Sequence, residues 1–363
     1  MLTEKEINRY SRHLLLNEIG AEGQEKLKKA SVLVVGAGGL SAPVLLYLAA
    51  AGVGTLGIID FDHVDESNLQ RQVIFTEKDM GMNKAAAAAE RLKQANPLLD
   101  YIVYQEPLSS ENAVEIISYD DVVVDGSDNF STRYLVNDAC ILCDKPLVFG
   151  SIFKFEGQVT VFNYQGSASY RCLFPESPEE GEVPNCSEVG VLGVLPGITG
   201  TLQANEALKI ILGIGEVLHN TLLVFDALQA SFHKFKFNKN PANFNVDKIE
   251  QYIFDCSSVA GIPVKEIEAS VLLYWIQKGE PLQIIDVRSR EEFETGNLNG
   301  INIPIASLQD QIDQVLNDRK IIVYCQSGSR SKKACELLLN KGFDNVISLK
   351  GGLNEYKKNV LVP

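Results

Sequence analysis

Two short segments of this 363-residue chain carry residues that could do chemistry. The first is a glycine turn, Gly36-Ala-Gly-Gly39, directly after the apolar residues 32–35. The second is Cys325-Gln-Ser-Gly-Ser-Arg330, directly after the apolar residues 321–324. A glycine turn that opens a helix lets backbone N–H groups approach a phosphate, and a cysteine before a helix is stabilised as an anion. Together they predict that one part of the chain activates a substrate while an exposed thiol in another part delivers sulfur.

Length, charge and cysteine content narrow the class of protein. A chain of 363 residues exceeds one ordinary hydrophobic core, so we expect two domains. The net charge of −14 and the shortness of the basic runs argue against nucleic acid as a partner. No apolar run approaches the roughly 18 residues of a membrane span, and no signal-peptide pattern opens the chain, so we expect a cytoplasmic protein without a membrane partner. Seven irregularly spaced cysteines favour reduced thiols.

Strand-like and helix-like segments alternate from residue 31 to residue 150, which predicts an α/β fold with a parallel sheet covered by helices. The predicted strands are 31–35, 55–60, 122–125 and 147–150, and the predicted helices are 4–29, 43–51, 84–95 and 132–143. A strand 157–164, a helix 201–213 and a hairpin of strands 222–226 and 233–237 follow. The polar segment 238–247 predicts a linker. Strands 283–286 and 320–324 and a helix 331–341 predict a second, small α/β domain.

The glycine turn predicts a nucleotide site at the end of the first strand. Gly36, Gly38 and Gly39 leave room for a phosphate at the helix N-terminus. Asp60, at the end of the second strand, is placed to accept hydrogen bonds from a ribose. These residues alone fit an NAD-linked oxidoreductase as well as an ATP enzyme.

Further along the chain, several residues favour ATP. Ser41 replaces the last glycine of the dinucleotide fingerprint. Arg71 and Lys84 would screen the charge of a triphosphate, and the carboxylate of Asp128 suits its metal ion. A site for hydride transfer needs neither several cations nor a metal ligand.

Six motifs, in their order along the chain, resemble the MoeB/ThiF family. They are VLVVGAGGL, DFD, SNLQRQ, MGMNK, DGSDN and GVLGVLPGITGTLQANEALK, and the resemblance covers nearly all of residues 1–237. Members of this family activate ubiquitin-like sulfur carrier proteins. The resemblance therefore implies a Rossmann-like, ATP-binding adenylyltransferase domain over residues 1–240, followed by a linker over 241–262.

The same resemblance implies roles for individual residues. The glycine turn of Gly36, Gly38 and Gly39 would hold phosphates and Asp60 the ribose. The residues around the polyphosphate would be Asn68, Arg71 and Lys84, and Asp128 would hold Mg²⁺ with Asn129 beside it. Arg12, in the segment RYSRH, would reach the phosphates of a partner subunit's site, which implies a homodimer.

The reaction implied is attack of the carrier's C-terminal glycine carboxylate on the α-phosphate of ATP, which gives an acyl-adenylate and pyrophosphate. Both reactants are anions, so the protein must position them and screen their charge. A carrier ending in Gly-Gly that serves molybdopterin biosynthesis is favoured, and thiamine synthesis and tRNA thiolation stay open. A non-catalytic module that docks such carriers is the remaining alternative.

A structural zinc site is common in this family, held by two CxxC pairs. Here the first pair reads Ser169-Tyr-Arg-Cys172, and the segment of the second, 240–246, contains no cysteine. Since structural zinc takes four thiolate or imidazole ligands, we predict that this zinc is absent. Cys140 and Cys143 are spaced as CxxC but lie on a predicted helix, where packing in the core is the preferred interpretation.

The C-terminal segments DVRSREEF, NIP, CQSGSR and LKGG resemble the rhodanese domain over about residues 263–363. The resemblance implies a sulfurtransferase in which Cys325 carries a persulfide and Arg330 adds a cation. The sulfur would come from a persulfide donor such as a cysteine desulfurase. Cys186, in the segment NCSEVGVLG, is a candidate for an acyl or disulfide link to the carrier, with an equally open alternative in which no covalent link forms there.

Overall fold

The computed structural model describes residues 1–176, 190–246, 248–249, 264–309 and 311–360. The chain forms two compact units, Met1–Phe254 and Asp255–Pro363. The predicted linker 241–262 lies outside the described residues at 247 and 250–262, and a 3₁₀ turn occupies Pro241–Phe244 within it. None of the described helices has the length and apolar character to cross a membrane.

The described strands of the first unit form one eight-stranded sheet in the order β3-β2-β1-β4-β5-β6-β7-β8. They are β1 Ser31–Val35, β2 Thr55–Ile59, β3 Asp100–Tyr104, β4 Val122–Asp125, β5 Leu147–Phe153, β6 Glu156–Phe162, β7 Thr221–Asp226 and β8 Ser231–Lys236. The pairs from β3 to β5 are parallel, as predicted, and those from β5 to β8 are antiparallel. The sequence prediction missed β3, since this edge strand is partly exposed and lacks the continuous apolar run of a central strand.

Strand β1 shows why the sheet is buried on both faces. Val32 and Val34 pack in the core on one face, while Leu33 and Val35 pack in the core on the other. Side chains alternate along a strand, so a run of four apolar residues feeds both cores. The parallel half of the sheet is therefore fixed at the centre of the unit, with the ends of its strands available for a site.

Helices of the first unit cover this sheet. Their bounds are α1 Glu4–Arg9, α2 Ser11–Leu14, α3 Gly20–Lys29, α4 Ser41–Ala51, α5 Lys84–Ala95, α6 Ala113–Ser118, α7 Phe130–Leu142, α8 Tyr170–Leu173 and α9 Val194–Leu212. The prediction of one helix over 4–29 is wrong. The backbone leaves the helical conformation at Tyr10, whose buried hydroxyl accepts a hydrogen bond from Asn96 Nδ2 at 2.9 Å. A contact 86 residues away thus interrupts a locally helical segment.

The second unit contains a five-stranded parallel sheet in the order β11-β10-β12-β13-β9. Its strands are β9 Lys265–Ile267, β10 Leu282–Asp286, β11 Ile301–Asn302, β12 Lys320–Tyr324 and β13 Val346–Leu349. Its helices are α10 Ala269–Lys278, α11 Arg290–Glu294, α12 Ser329–Asn340 and α13 Gly352–Val360. The central strand β12 ends at Tyr324, so Cys325 lies at the carboxyl edge of the sheet, in front of α12.

Candidate functional site

A cavity opens at the carboxyl ends of β1, β2 and β4. Strand order reverses between β1 and β4, because the chain runs outward from β1 through β2 to β3 and then returns to β4 on the other side. Open α/β sheets bind ligands at such a reversal. Eight of the sequence-predicted residues line this cavity: Gly36, Gly38, Gly39, Asp60, Arg71, Lys84, Asp128 and Asn129.

The glycine turn is held against the neighbouring strands. Gly36 has a positive φ of 84°, and its N–H donates to the carbonyl of Ile59 at 2.8 Å. A Cβ on Gly36 would lie 3.3 Å from the carbonyl oxygen of Gly126. The turn therefore requires glycine for both its backbone conformation and its close approach to the β4 loop.

Asp60 connects the glycine turn to β2. One carboxylate oxygen accepts from the Ala37 N–H at 2.7 Å, and the other accepts from the Asp62 N–H at 2.8 Å. Burial raises the pKa of Asp60 above its ordinary value, against the opposing charge of Lys84 and these two hydrogen bonds. A cation close to Asp60 thus helps to keep this buried carboxylate ionised.

Lys84 is the first residue of α5 and is 8% exposed. Its Nζ lies 3.0 Å from Asp62 Oδ2. A cation at a helix N-terminus is disfavoured by the helix dipole. The neighbouring carboxylates compensate for that placement, and the ammonium group is held at the wall of the cavity.

Arg71 reaches the cavity from the segment between β2 and α5. Its Nη1 donates to the carbonyl of Ser67 at 3.0 Å, and its Cγ would lie 3.5 Å from a Cβ on Gly39. The side chain therefore passes over the glycine turn. Arg71 and Lys84 come from different elements and give the cavity two cations.

The loop after β4 presents a carboxylate. Asp125 Oδ1 accepts from Ser127 N–H at 2.9 Å and from Ser127 Oγ at 2.6 Å. Asn129 Oδ1 caps α7 by accepting from the Thr132 N–H at 2.9 Å. With the loop fixed on both sides, the exposed side chain of Asp128 is free to face the cavity.

Gln72 and Arg133 are among the polar residues of the cavity wall that sequence reasoning missed. Gln72 Oε1 and Arg133 Nε are buried, and neither has a hydrogen-bond partner among the described residues. Arg133 Nη2 donates to the Ser127 carbonyl at 3.3 Å, and the guanidinium carbon lies 5.4 Å from the centre of the Phe149 ring. The sequence did contain a signal for Arg133: it lies one helical turn after Asn129, and residues four apart share a helix face.

Asn68 and Arg12, both predicted for this site, do not line the cavity. Asn68 is half-buried, and its side-chain oxygen accepts from the Asp65 N–H at 3.2 Å. Arg12 lies exposed on α2. Cys186 falls outside the described residues. The roles of all three stay predictions.

In the second unit, Cys325 lies in a loop of backbone and hydroxyl groups. Its Sγ accepts from the Gly328 N–H at 3.2 Å, and Gly328 has the positive φ of 98° that this tight loop requires. The expectation of an exposed thiol is wrong, because Cys325 is fully buried. It directly continues the buried strand β12 and packs in the core with Ile321 and Val323.

Arg330 lies at the start of α12 and forms a two-pronged ion pair with Glu292, at 2.7 and 2.8 Å. This guanidinium is the main cause that lowers the pKa of Glu292. Arg288, which sequence reasoning did not single out, is buried, pairs with Asp286 and donates to Gln326 Oε1 at 3.0 Å. Both of these guanidinium groups are thus fixed by carboxylates.

The two segments that correspond to the family's zinc site meet at the sulfur of Cys172. Cys172 Sγ accepts from the N–H of Asn240 at 3.2 Å, and it lies 3.4 Å from Ser169 Oγ and 3.7 Å from Asn243 Nδ2. Burial raises the pKa of Cys172, but the hydrogen bonds from Ser169 and Asn240 lower it further than burial raises it. Within the described part of the chain, no cluster of three histidine, cysteine or acidic residues could hold a metal ion.

These two units are those of an adenylyltransferase joined to a sulfurtransferase. The chain belongs to the ThiF family, whose model matches residues 10–246, and a rhodanese-like domain model matches residues 268–359.

Relatives agree with both assignments. The "Probable adenylyltransferase/sulfurtransferase MoeZ" of Mycobacterium tuberculosis is 42% identical over 99% of this chain and 95% of its own length. The "Probable molybdopterin-synthase adenylyltransferase" of Porphyra purpurea is 43% identical over 97% of this chain and 93% of its own. The "Sulfur carrier protein adenylyltransferase" of Thermus thermophilus is 54% identical over 66% of this chain and 90% of its own.

Proposed function

We propose that this enzyme adenylates the C-terminal glycine of a ubiquitin-like sulfur carrier protein and that its rhodanese domain supplies the sulfur for a thiocarboxylate. The observation that carries the proposal is the convergence of Arg71, Lys84 and Asp128 on the cavity behind the glycine turn. A triphosphate and a carboxylate repel each other, so their reaction needs cations in one place.

The residues of the cavity fit ATP with a divalent cation. The glycine turn leaves space for phosphates, since the nearest atom to a Cβ on Gly38 would be 3.8 Å away. Asp60 would accept from the ribose, Arg71 and Lys84 would bind phosphate oxygens, and Asp128 with Asn129 offers the oxygen ligands that Mg²⁺ prefers. Bound Mg²⁺ would neutralise part of the charge on the phosphates.

In the adenylation step, a carboxylate oxygen of the carrier's terminal glycine forms a bond to the α-phosphorus of ATP. The bond from that phosphorus to the bridging oxygen breaks, and pyrophosphate leaves with the electron pair. Arg71 and Lys84 screen the approach and stabilise the charge that moves onto the leaving group. Arg12 of a second subunit adds a further cation, which is the proposed reason for a homodimer.

In the sulfur step, the Cys325 thiolate attacks the outer sulfur of a persulfide donor. The donor's sulfur–sulfur bond breaks, the donor leaves as a thiolate, and Cys325 carries the outer sulfur as a persulfide anion. That anion then attacks the acyl-adenylate carbon and AMP leaves. A second thiolate, for which Cys186 is the candidate within the chain, attacks the Cys325 sulfur of the resulting acyl disulfide. A new disulfide forms at Cys325, the carrier leaves as its thiocarboxylate, and a thiol reductant must reduce that disulfide before the next turnover.

Chemistry and the relatives support a choice of carrier, and chemistry alone supports a choice of donor. A carrier that serves molybdopterin synthesis is favoured, because the Porphyra relative is named for molybdopterin synthase. Thiamine synthesis and tRNA thiolation use the same chemistry and remain alternatives. A cysteine desulfurase is the proposed donor, and a reducing cytoplasm suits thiols that must stay free.

Carrier-dependent exchange between pyrophosphate and ATP tests this function. We expect a carrier of molybdopterin synthesis that ends in Gly-Gly to support exchange. Asp128→Ala should lose this exchange, and Cys325→Ala should keep it. Cys325→Ala should then fail to make the thiocarboxylate, which mass spectrometry of the carrier detects. Absence of exchange with molybdopterin-, thiamine- and tRNA-type carriers would reject adenylation. Nicotinamide fluorescence on binding would instead support the NAD-linked alternative.

A further inference from the structure

Two buried serine hydroxyls lie behind Cys325. Ser331 is in the first turn of α12 and Ser348 is in β13, and both are fully buried. Their Oγ atoms are 2.9 Å apart. Every residue of β13 is buried, and a central strand of a parallel sheet is ordinarily apolar throughout. A hydroxyl in such a strand is costly unless it is hydrogen-bonded, and the partner of Ser348 is Ser331.

Ser331 in turn contacts the loop of Cys325. Its Oγ lies 2.9 Å from the carbonyl of Gly328 and 3.8 Å from Cys325 Sγ. A hydroxyl has one proton to donate and two lone pairs. When the sulfur is a thiol, Ser331 donates to Gly328 and accepts from both Ser348 and the S–H group.

An anionic sulfur changes this arrangement. A thiolate or persulfide can only accept hydrogen bonds, and Gly328 N–H already donates to it. Ser331 can turn its O–H from the Gly328 carbonyl to the sulfur without moving its oxygen. Ser348 keeps donating to Ser331 and so holds that oxygen in place.

We infer that Ser331 and Ser348 form a hydroxyl switch that positions the Ser331 O–H on the anionic sulfur of Cys325. The inference rests on the proposed role of Cys325 as the sulfur carrier. Ser331 contacts the reacting sulfur directly, whereas Ser348 acts through Ser331 and is a positioning residue for the sulfur step. The switch stabilises the anion at a cysteine that is itself fully buried.

The charged groups around the loop do not replace this donor. Four cations of the elements packed against the loop have a carboxylate partner in the described structure. The pairs are Arg330 with Glu292, Arg288 with Asp286, Lys332 with Glu266 and Lys350 with Glu268. Cys335, also in α12, is a buried thiol whose pKa burial raises strongly. The Ser331 hydroxyl is therefore the neutral group that can respond when the sulfur becomes charged.

Titration of Cys325 in the full-length chain tests the inference. The ultraviolet absorbance of the thiolate is followed against pH, and the matching variant with Cys325→Ala is subtracted so that the other thiols cancel. We expect Ser331→Ala to raise the titration midpoint by about one pH unit, because a hydrogen bond to a charged group is lost. Ser348→Ala should raise it by about half a unit, since it removes a neutral neighbour.

Two further variants separate a switch from a merely structural role. Ser331→Thr keeps the hydroxyl and should restore the midpoint. Ser307→Ala, whose hydroxyl donates to the Pro304 carbonyl in the same unit, should leave it unchanged. Unchanged midpoints in Ser331→Ala and Ser348→Ala, or an equal shift in Ser307→Ala, would overturn the inference.

The titration needs no substrate, so its outcome is independent of the proposed function. Turnover of thiosulfate as a sulfur source is measured separately, and its persistence in Cys325→Ala would contradict the role of Cys325 rather than the contact between the serines and the sulfur.

Discussion

Replacing Lys84 with methionine separates a catalytic cation from a structural one. The side chain of Lys84 is nearly buried, whereas its partner Asp62 is 41% exposed. An ion pair with one solvated partner contributes about 1 kcal/mol or less to the free energy of unfolding. We therefore expect Lys84→Met to lower the melting temperature by only roughly 2–4 °C.

The effect on activity should be far larger. A fixed charge directed at the developing charge of a transition state is worth about 10²- to 10³-fold in rate. Carrier-dependent pyrophosphate exchange should fall by that factor in Lys84→Met. Asp62→Asn is the matched control, because it breaks the same ion pair but leaves the cation, and it should lose as much stability with a much smaller loss of exchange.

The pH profile provides a second readout of the same change. Lys84 opposes the rise that burial causes in the pKa of Asp60. Without this cation the pKa of Asp60 rises further, so the acid limb of the exchange profile should move to higher pH. Exchange within about threefold of the unmodified enzyme in Lys84→Met, or an equal loss in Asp62→Asn, would refute a phosphate-binding role for Lys84.

Three other perturbations have defined outcomes. Gly36→Ala should abolish ATP binding in equilibrium dialysis, because the added Cβ of residue 36 would meet Gly126 and the backbone there has a positive φ. The thiol of Cys325 in the second unit should still titrate, and retained affinity for ATP would count against a phosphate-binding turn. If structural zinc is absent, dialysis against EDTA should leave the melting temperature unchanged. Cys172 is hydrogen-bonded by Ser169, Asn240 and Asn243 and has no second thiolate beside it among the described residues. Stoichiometric zinc in the purified protein would contradict this prediction. Burial raises the pKa of Glu6, but hydrogen bonds from Thr3 and Lys28 bring it to about 2, so the stability it contributes is complete above its ordinary value of 4.5 and is lost as pH falls towards 2. Glu6→Gln should remove that part of the acid dependence in denaturant titrations, and an unchanged profile would exclude it.

Local patterns were sufficient for much of the fold. The bounds of β1, α5, β4 and β12 agree with the sequence prediction, because continuous apolar runs and strong helix formers fix those elements without distant partners. The partly exposed edge strand β3 was missed, since its residues carry no such pattern. The prediction of one helix over 4–29 was wrong at Tyr10, whose buried hydroxyl accepts a hydrogen bond from Asn96.

The candidate site divides in the same way. The glycine turn, Asp60 and the Cys325 loop are recognisable in the sequence, because each directly follows an apolar strand and its motif spans only a few residues. The charges of Arg71, Lys84 and Asp128 favoured ATP over NAD, and the resemblance to known families gave these residues their individual roles. Arg133 and Gln72 carried no motif and became visible as buried polar atoms beside the cavity.

The sequence by itself determined most of the central strands and helices in their order along the chain, the two reactive loops and the family. Tertiary structure alone decided which distant side chains meet: Lys84 with Asp62, Ser331 with Ser348, and Cys172 with Asn240. The physical reason is that backbone propensity and side-chain periodicity act over a few residues, whereas hydrogen bonds and ion pairs between elements form only once the packed sheets bring separate segments within about 3 Å of each other.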